Sequence, residues 1–151
     1  MPSENFPATV IEPGDHDRWA ALWRDYLAFY ETELPEDVYA ATWARVLDPG
    51  SAIHAFGVRD AGGRLVGITH YLTHAHAWSR ADACYLQDLF VDADYRGRGY
   101  ARALIAAVAS AARERGCSRL YWTTQESNTT ARRLYDTVAE YKGFIRYEYP
   151  L

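Results

Sequence analysis

One stretch of this sequence restricts the fold more than any other, because it places a buried strand, a glycine turn and a helix in direct succession. The strand is the mostly apolar run Ala83–Val91, and an apolar run of this length is typical of a central strand. The helix, residues 99–115, repeats apolar side chains at steps of three and four, namely Ala101, Leu104, Ile105, Val108 and Ala112. This succession predicts a core in which a helix packs on a sheet.

The rest of the chain predicts further elements of both kinds. β-prone segments separated by glycine turns and polar loops predict strands at residues 8–12, 53–59, 65–76, 83–91, 119–123 and 144–149. Helical spacing and end signals predict helices at residues 15–33, 35–48 and 99–115, and a last helix that begins after the cap residue Asn128. The order is strand, two helices, three strands, helix, strand, helix, strand. It predicts an α+β fold with a mixed central sheet and helices on both faces.

Length, charge and cysteine content limit the class of protein. The 151 residues have the size of one domain, so we expect a single domain over residues 1–151. A formal net charge of −4 gives no positive field for nucleic acid, which we therefore exclude as a partner. The two cysteines, Cys84 and Cys117, lie far apart without the spacing of a zinc site or disulfide framework. Without a leader-like N-terminus or a membrane-length apolar run, we expect a cytoplasmic protein with no membrane partner.

The glycine turn Arg96-Gly97-Arg98-Gly99-Tyr100-Ala101 has the composition of an anion site. Backbone N–H groups at a helix start, together with the helix dipole, attract phosphate, and glycine lets the anion approach closely. The alternative is an ordinary loop in which glycine only permits a positive φ. The G-K-[ST] of a Walker loop is absent, and the turn lies too far along the chain for an N-terminal Rossmann start. A pyrophosphate-sized anion is the expected ligand.

At these residues the sequence resembles the GNAT superfamily of N-acetyltransferases. The family pattern Q/R-x-x-G-x-G/A is matched by Arg96, Gly99 and Ala101. A second family pattern, N-x-x-A-x-x-L/F-Y, is matched at residues 128–135, and the predicted element order agrees along most of the chain. Residues 85–91 and 121–125 resemble the branch with the yeast histone/polyamine and D-amino-acid acetyltransferases, and more distantly the diamine acetyltransferases.

The resemblance implies acetyl-CoA as cosubstrate and no metal. The backbone of the last three residues of the central strand, 89–91, would pair with the pantetheine amides, and the glycine turn would hold the pyrophosphate. The coenzyme residues implied in this way are Leu89, Phe90, Val91, Arg96, Gly97, Arg98, Gly99, Tyr100, Ala101, Arg102, Asn128 and Arg132.

Acyl transfer to an amine requires two proton transfers, because an aliphatic amine titrates near about 10.4 and a thiol near about 8.5. Tyr135 stands at the family's general-acid position, although its spacing also fits a core aromatic residue. Gln87 stands where diamine acetyltransferases have a glutamate, but glutamine accepts no proton at neutral pH. Asp88 is adjacent, and strand alternation turns it to the other face unless a bulge re-aims it. The base is therefore either Asp88 or a water chain.

The expected function is acetyl-CoA-dependent N-acetylation of a primary amine of a small molecule, such as a polyamine or an amino acid. The alternatives are a protein-lysine acetyltransferase and a non-catalytic acyl-CoA-binding regulatory module. The β-prone, aromatic segment 145–151 predicts a homodimer formed through an edge strand.

Three further groups of residues have a plain structural explanation beside a functional one. The aromatic stripe Trp23, Tyr26 and Tyr30 is expected to be mainly core, with one edge at the acceptor groove. The acidic residues between the first two helices fit either a solvated turn or recognition of a cationic acceptor. They are Glu31, Glu33, Glu36 and Asp37. We expect His70, His74 and His76 to face substrate or solvent and not to bind a metal.

Overall fold

The computed structural model describes residues 7–151. Residues 1–6, which belong to the predicted domain, lie outside the described residues. The strands are β1 (Thr9–Val10), β2 (His54–Arg59), β3 (Leu65–His74), β4 (Ala83–Val91) and β5 (Arg119–Tyr121). The helices are α1 (His16–Phe29), α2 (Glu36–Leu47), α3 (Tyr100–Glu114) and α4 (Thr129–Val138). Within the described part of the chain, no helix has the length and apolar character of a membrane span.

The five strands form one mixed sheet in the order β1-β2-β3-β4-β5. The first four are antiparallel neighbours, whereas β5 runs parallel to β4. This arrangement confirms the α+β prediction. The pairing of β5 covers only Ala83, Cys84 and Tyr85 of β4. From Leu86 onward, the edge of β4 that faces β5 has no strand beside it in the described residues, so the sheet splays open there.

Helices cover both faces of the sheet, as the sequence predicts. On one face, α1 and α2 bury Trp19, Leu22, Trp23 and Tyr39 against Leu65 and Ile68. On the other face, α3 buries Ile105 and Val108 against Tyr71 and Leu86, and buries Tyr100 and Leu104 against Val58, Val66 and Val91. The half-buried Leu134, Tyr135 and Val138 of α4 extend this second core. The site described below lies where the two layers meet the splayed edge of β4.

The start of α1 is anchored by an ion pair rather than by a side-chain cap. Asp15 directly precedes α1, but within residues 7–151 its side chain makes no capping hydrogen bond to the helix. Its carboxylate instead accepts hydrogen bonds from Arg59 Nη1 at 2.8 Å, from Arg59 Nη2 at 2.6 Å and from the amide of Glu12 at 2.8 Å. The hydrogen bond from Arg59 is the main cause that lowers the pKa of Asp15. The pair ties α1 to β2.

Two predictions differ most from the structure. The first helix ends at Phe29 and not near residue 33, because Glu31 adopts a positive φ of 54° that a helix does not permit. The predicted strand at 144–149 does not form, since residues 139–151 contain no strand in the described structure. Phe144, Tyr147 and Tyr149 are more than 80% exposed. A β-prone segment becomes a strand only when a neighbouring edge pairs its backbone, and no strand among residues 7–151 does so.

Candidate active site

The glycine turn between β4 and α3 has the backbone geometry of an anion site. Gly97 and Gly99 have positive φ values of 75° and 90°, which only glycine adopts readily. A Cβ atom built at either position would meet no atom of residues 7–151 within 4 Å, so the surface above the turn is open. The hydrogen-bond ladder of α3 begins with the amide of Ala103 and the carbonyl of Gly99. The amides of Ala101 and Arg102 therefore belong to the first turn, where helices bind anions.

Three arginines surround this turn with positive charge. Arg96 is fixed by a 3.1 Å hydrogen bond from Nε to the carbonyl of Val91, and its guanidinium lies 5.4 Å from the ring centre of Phe90. Arg98 lies over the ring of Tyr95, and Arg102 donates a hydrogen bond to Thr137 of α4. All three side chains are exposed. The turn thus combines backbone donors with exposed cations, which suits a pyrophosphate.

Two of the predicted coenzyme residues contribute no polar side-chain group to this surface. Tyr100 is 3% exposed and packs in the core with Val91 and Leu104, and Ala101 packs partly against the same cluster. Only the backbone of these two residues belongs to the anion site. Their side chains instead pack α3 on the sheet.

A narrow cleft lies in the splay between β4 and β5. Its volume of about 20 Å³ is enough for one ordered water molecule. Its walls come from α1 and the residue that follows it, from β4, from the segment that follows β5, and from α4. The lining residues are Tyr26, Tyr30, Leu86, Gln87, Leu89, Trp122, Thr123 and Tyr135. The structure therefore brings Gln87, Leu89 and Tyr135 together. Gln87 and Leu89 lie on β4, which leads into the glycine turn, and Tyr135 faces them from α4.

Tyr135 of α4 presents a protonated hydroxyl to this cleft. Burial, and then the neighbouring Tyr30, raise the pKa of Tyr135 to about 12. The ring packs edge-on against Trp122, with 5.4 Å between ring centres. A phenol with this pKa keeps its proton throughout the neutral range, so it can donate a proton and does not act as a base.

A β-bulge lies at the predicted base. In the register of β3 with β4, His70 pairs with Asp88 and Tyr71 pairs with Leu86, which leaves Gln87 without a β3 partner among the described residues. Gln87 is exposed and turns into the cleft. Its amide can orient a water or an amine through hydrogen bonds, but it takes up no proton at neutral pH.

Asp88 turns toward α1 and is held there by buried partners. Its Oδ2 lies 2.8 Å from Nδ1 of His70, and its side chain is 13% exposed. Tyr26, which lines the cleft, also faces Asp88, and the pKa of Tyr26 is raised by burial and then by this carboxylate. The bulge is present, but Asp88 stands behind the wall of the cleft and connects to it through Tyr26.

The start of α4 adds polar groups at the far side of the cleft. Asn128 caps the helix, because its Oδ1 accepts a hydrogen bond from the amide of Ala131 at 3.3 Å. Its Nδ2 donates to Thr124, and Tyr30 faces both residues. Arg132 donates to the carbonyl of Glu126 and lies 5.4 Å from the ring of Tyr141. Asn128 thus stands near the cleft, whereas Arg132 is occupied at the surface.

The other histidines and acids of interest make local contacts. His70 is 2% exposed, so the expectation that it faces substrate or solvent is wrong. His74 bonds to the hydroxyl of Tyr121 at 2.7 Å and is half-buried. In the described residues, no group of three or more His, Cys, Asp or Glu side chains could hold a metal ion. The acidic residues between α1 and α2 are exposed, and Glu36 pairs with Arg24.

Several residues of the site escape prediction from the sequence. His70, Trp122 and Thr123 join Asp88 or the cleft only because the strands pair in this register. Tyr26 and Tyr30 are partly anticipated, since the aromatic stripe of α1 predicts one edge near a groove. The alternation of β3 could have indicated His70, because His70 shares the face of Ile68, which α1 covers.

Comparison with known proteins agrees with this architecture. A sequence model of the Acetyltransferase (GNAT) family matches residues 19–139. The D-amino-acid N-acetyltransferase HPA3 of Saccharomyces cerevisiae is 35% identical over 140 residues, which are 92% of this chain and 87% of that protein. The L-2,4-diaminobutyric acid acetyltransferase of Streptomyces coelicolor is 35% identical over 126 residues, which are 82% of this chain and 69% of that protein.

A solved structure extends the likeness to the whole fold. The enzyme AAC(6')-Iy, in complex with the bisubstrate analogue CoA-S-monomethyl-acetylneamine, superposes with a TM-score of 0.83 at 18% identity. The match covers 98% of this chain and 99% of that one. At this identity the likeness shows the fold alone.

Proposed function

Because the chain belongs to the Acetyltransferase (GNAT) family and is an N-acetyltransferase that acts on amines, we propose that it transfers the acetyl group of acetyl-CoA to the primary amine of a small molecule. One observation carries this proposal: the open edge of β4 runs from the cleft at Leu86 and Leu89 to the glycine turn beyond Val91. An extended thioester arm along this edge would reach from a pyrophosphate on the turn to the cleft that holds Tyr135.

Tyr135 is the proposed general acid. The amine nitrogen attacks the thioester carbonyl, the new C–N bond forms, and the C–S bond breaks. The departing sulfur takes the proton of the Tyr135 hydroxyl, which the raised pKa keeps in place until that moment. The proton that the nitrogen sheds as the amide forms returns to Tyr135 through solvent. The proton that the base has taken from the ammonium passes to bulk solvent, so that the enzyme is unchanged.

Asp88 is the proposed base, with a water chain as the alternative. The ammonium form of the acceptor must lose one proton before it attacks. The Asp88 carboxylate faces Tyr26, which lines the cleft, so the proton has a route of hydroxyl and water oxygens from the acceptor to the carboxylate. The exposed Gln87 positions the acceptor or the intervening water through its amide.

The acceptor is proposed to be an amino acid or a similar small amine. The names of the two relatives specify a D-amino acid and a diamino acid, both of which carry a primary amine. A narrow cleft with tyrosine walls also suits a slender side chain better than a folded protein surface. A non-catalytic acyl-CoA-binding module remains the second candidate, because Gln87 provides no carboxylate in the cleft.

A panel of amines tests the function. Free thiol is followed while acetyl-CoA is mixed with D- and L-amino acids, 2,4-diaminobutyrate, thialysine, polyamines and a histone peptide, and the products are identified by mass spectrometry. We expect thiol release and an acetylated product with at least one small amine. Release with the peptide alone would indicate a protein-lysine acetyltransferase. Tight binding of acetyl-CoA without release from any amine would indicate the regulatory module.

A homodimer formed through the C-terminal segment is part of the proposal. Residues 144–151 are exposed and include several large apolar side chains, and β5 is an edge strand of the sheet. Trp78 and Phe144, each 85% exposed, line a surface hollow beside Arg119 of β5. An edge strand and an unpaired β-prone segment on one molecule suit each other across two copies.

A further inference from the structure

His70 is buried in the core, and both of its ring nitrogens have partners. Its Nε2 lies 2.9 Å from Nε1 of Trp19, and its Nδ1 lies 2.8 Å from Oδ2 of Asp88. The exposure of His70 is 2% and that of Trp19 is 0%. Trp23 packs against the same imidazole, with its ring plane at 87° and 5.7 Å between ring centres. The three polar groups form one line from the core to the edge of the cleft.

This line fixes the tautomer of His70. An indole N–H is only a donor, so Nε2 of His70 must accept the hydrogen bond from Trp19 and carries no proton. The proton of the neutral imidazole is then on Nδ1, which donates it to the carboxylate of Asp88. The groups that face the imidazole are Trp19 and Trp23 of α1 and Asp88 of β4, and only Asp88 can carry charge.

The backbone at the bulge supports the same arrangement. Thr69 Oγ1 donates a 2.8 Å hydrogen bond to the carbonyl of Asp88, and Thr69 is fully buried. His70 stands directly opposite Asp88 in the register, next to the point where the pairing shifts. The extra residue on β4 thus separates Gln87, which turns to the cleft, from Asp88, which His70 holds on the α1 side.

We infer that His70 is a positioning residue for Asp88, locked by Trp19 in the Nδ1–H tautomer so that the carboxylate keeps one orientation, toward Tyr26 at the wall of the cleft. The inference rests on the proposed role of Asp88 as base. His70 itself exchanges no proton, because its Nδ1–H donates a hydrogen bond to Asp88 and its Nε2 accepts one from Trp19. A histidine in this place directs a carboxylate in the way that a carboxylate directs the histidine of a hydrolase triad.

The tautomer is measured without any activity assay. Long-range proton–nitrogen NMR correlation of the ¹⁵N-labelled protein separates the two neutral tautomers and the doubly protonated ring, and the spectrum of His70→Asn assigns the signal. We expect His70 as the Nδ1–H tautomer across the neutral range. An Nε2–H tautomer, or a doubly protonated ring at neutral pH, would overturn the inference.

A double-mutant cycle then tests whether His70 acts through Asp88. Alone, His70→Leu should lower kcat/KM at neutral pH by at least about tenfold, with partial recovery at high pH. Added to Asp88→Asn, the same change should cost less than about twofold, because the group that it positions is already lost. Equal losses in both backgrounds would show a role that does not pass through Asp88 and would contradict the inference.

A conservative variant separates positioning from packing. The amide nitrogen of asparagine stands as many bonds from Cα as Nδ1 of histidine, so His70→Asn can still donate to Asp88. It should retain kcat/KM within a few-fold of the wild type, whereas His70→Leu does not. If the two variants have the same melting temperature and lose activity equally, the donor at Nδ1 has no role. Failure of the proposed function appears differently, as an absence of thiol release from the wild-type protein with every acceptor.

Discussion

At the scale of single residues, Tyr135 is the side chain whose chemistry is most directly testable. Tyr135→Phe removes one hydroxyl from the cleft and leaves the ring against Trp122. Turnover at saturating acceptor should fall by about 10²-fold or more if the hydroxyl is the general acid, while thermal stability barely changes. Because its pKa is about 12, the wild-type rate should show no alkaline loss from this group below about pH 10.

Tyr39→Phe is the matched control, since Tyr39 is buried in the core between α1 and the sheet, away from the cleft. Its turnover should equal that of the wild type. An unchanged kcat in Tyr135→Phe would return Tyr135 to the role of a core aromatic residue.

The role of Asp88 is tested by the pH dependence of kcat/KM. Asp88→Asn should lose at least about tenfold in kcat/KM at neutral pH and recover in part at high pH, because more of the acceptor amine, with a pKa near about 10.4, is then already neutral. Asp25→Asn, an exposed position on α1 next to Tyr26, is the control and should keep the wild-type profile. A uniform loss at every pH would make Asp88 a positioning group, and no loss would favour the water chain.

The residues of the site differ in how far the sequence predicts them. Tyr135 and the two glycines follow from short motifs, because a helix start and a left-handed turn are local features. The partnership of Asp88 with His70 does not, since it depends on the register of two strands and on one bulged residue. A bulge shifts the face of every side chain beyond it, and no local pattern in the sequence specifies where it falls.

At the scale of elements, the ion pair of Asp15 with Arg59 is the contact with the clearest energetic consequence. Asp15→Ala removes three hydrogen bonds to a carboxylate and leaves Arg59 half-buried without its partner. The free energy of unfolding should fall by about 2 kcal/mol at neutral pH, as measured by urea denaturation. Asp17→Ala, at an exposed position two residues further along the chain, should change it by less than about 0.5 kcal/mol.

The same ion pair has a defined pH dependence. The pKa of Asp15 is lowered in the folded state, so the pair stabilises the protein above the ordinary carboxylate range and loses its effect as pH falls below about 4. The difference between the wild type and Asp15→Ala should therefore shrink at acid pH. A difference that is the same at neutral and acid pH would show that the carboxylate charge contributes nothing.

Elements with strong local signals were predictable, and elements that depend on a partner were not. The bounds of β4 and the existence of α3 and α4 follow from apolar spacing and caps that lie within each element. The C-terminal segment has the same β-prone composition as a strand, yet it pairs with no strand in the described part of the chain. Whether it forms a strand depends on a sheet edge that can pair with it, and the local sequence does not specify that edge.

At the scale of the whole molecule, the exposed C-terminal segment predicts a dimer. Light scattering at micromolar concentration should give the mass of two chains. Tyr147→Asp introduces a charge into the proposed paired strand and should give one chain, whereas Tyr141→Asp, also exposed but outside residues 144–151, should leave the dimer intact. A monomeric wild type would contradict this part of the proposal.

The fold assembles the site from parts of the chain that are distant in sequence. Tyr26 comes from α1 and Tyr135 from α4, and both line the cleft that the splay of β5 from β4 leaves open, whereas Asp88 of β4 stands behind Tyr26. The family likeness over residues 19–139 covers all three. We propose that acetyl-CoA binds at the glycine turn and delivers its acetyl group into this cleft.

Calorimetric titration of acetyl-CoA tests that claim most directly, with Gly99→Glu and Gly63→Glu as a matched pair. Both glycines have similar positive φ values, 90° and 87°, and open space for a side chain, so both variants carry the same backbone strain. Only Gly99→Glu places a carboxylate where the pyrophosphate should bind. We predict that Gly99→Glu weakens acetyl-CoA binding by at least about tenfold while Gly63→Glu matches the wild type. A folded Gly99→Glu variant that keeps its affinity within a few-fold would contradict the account.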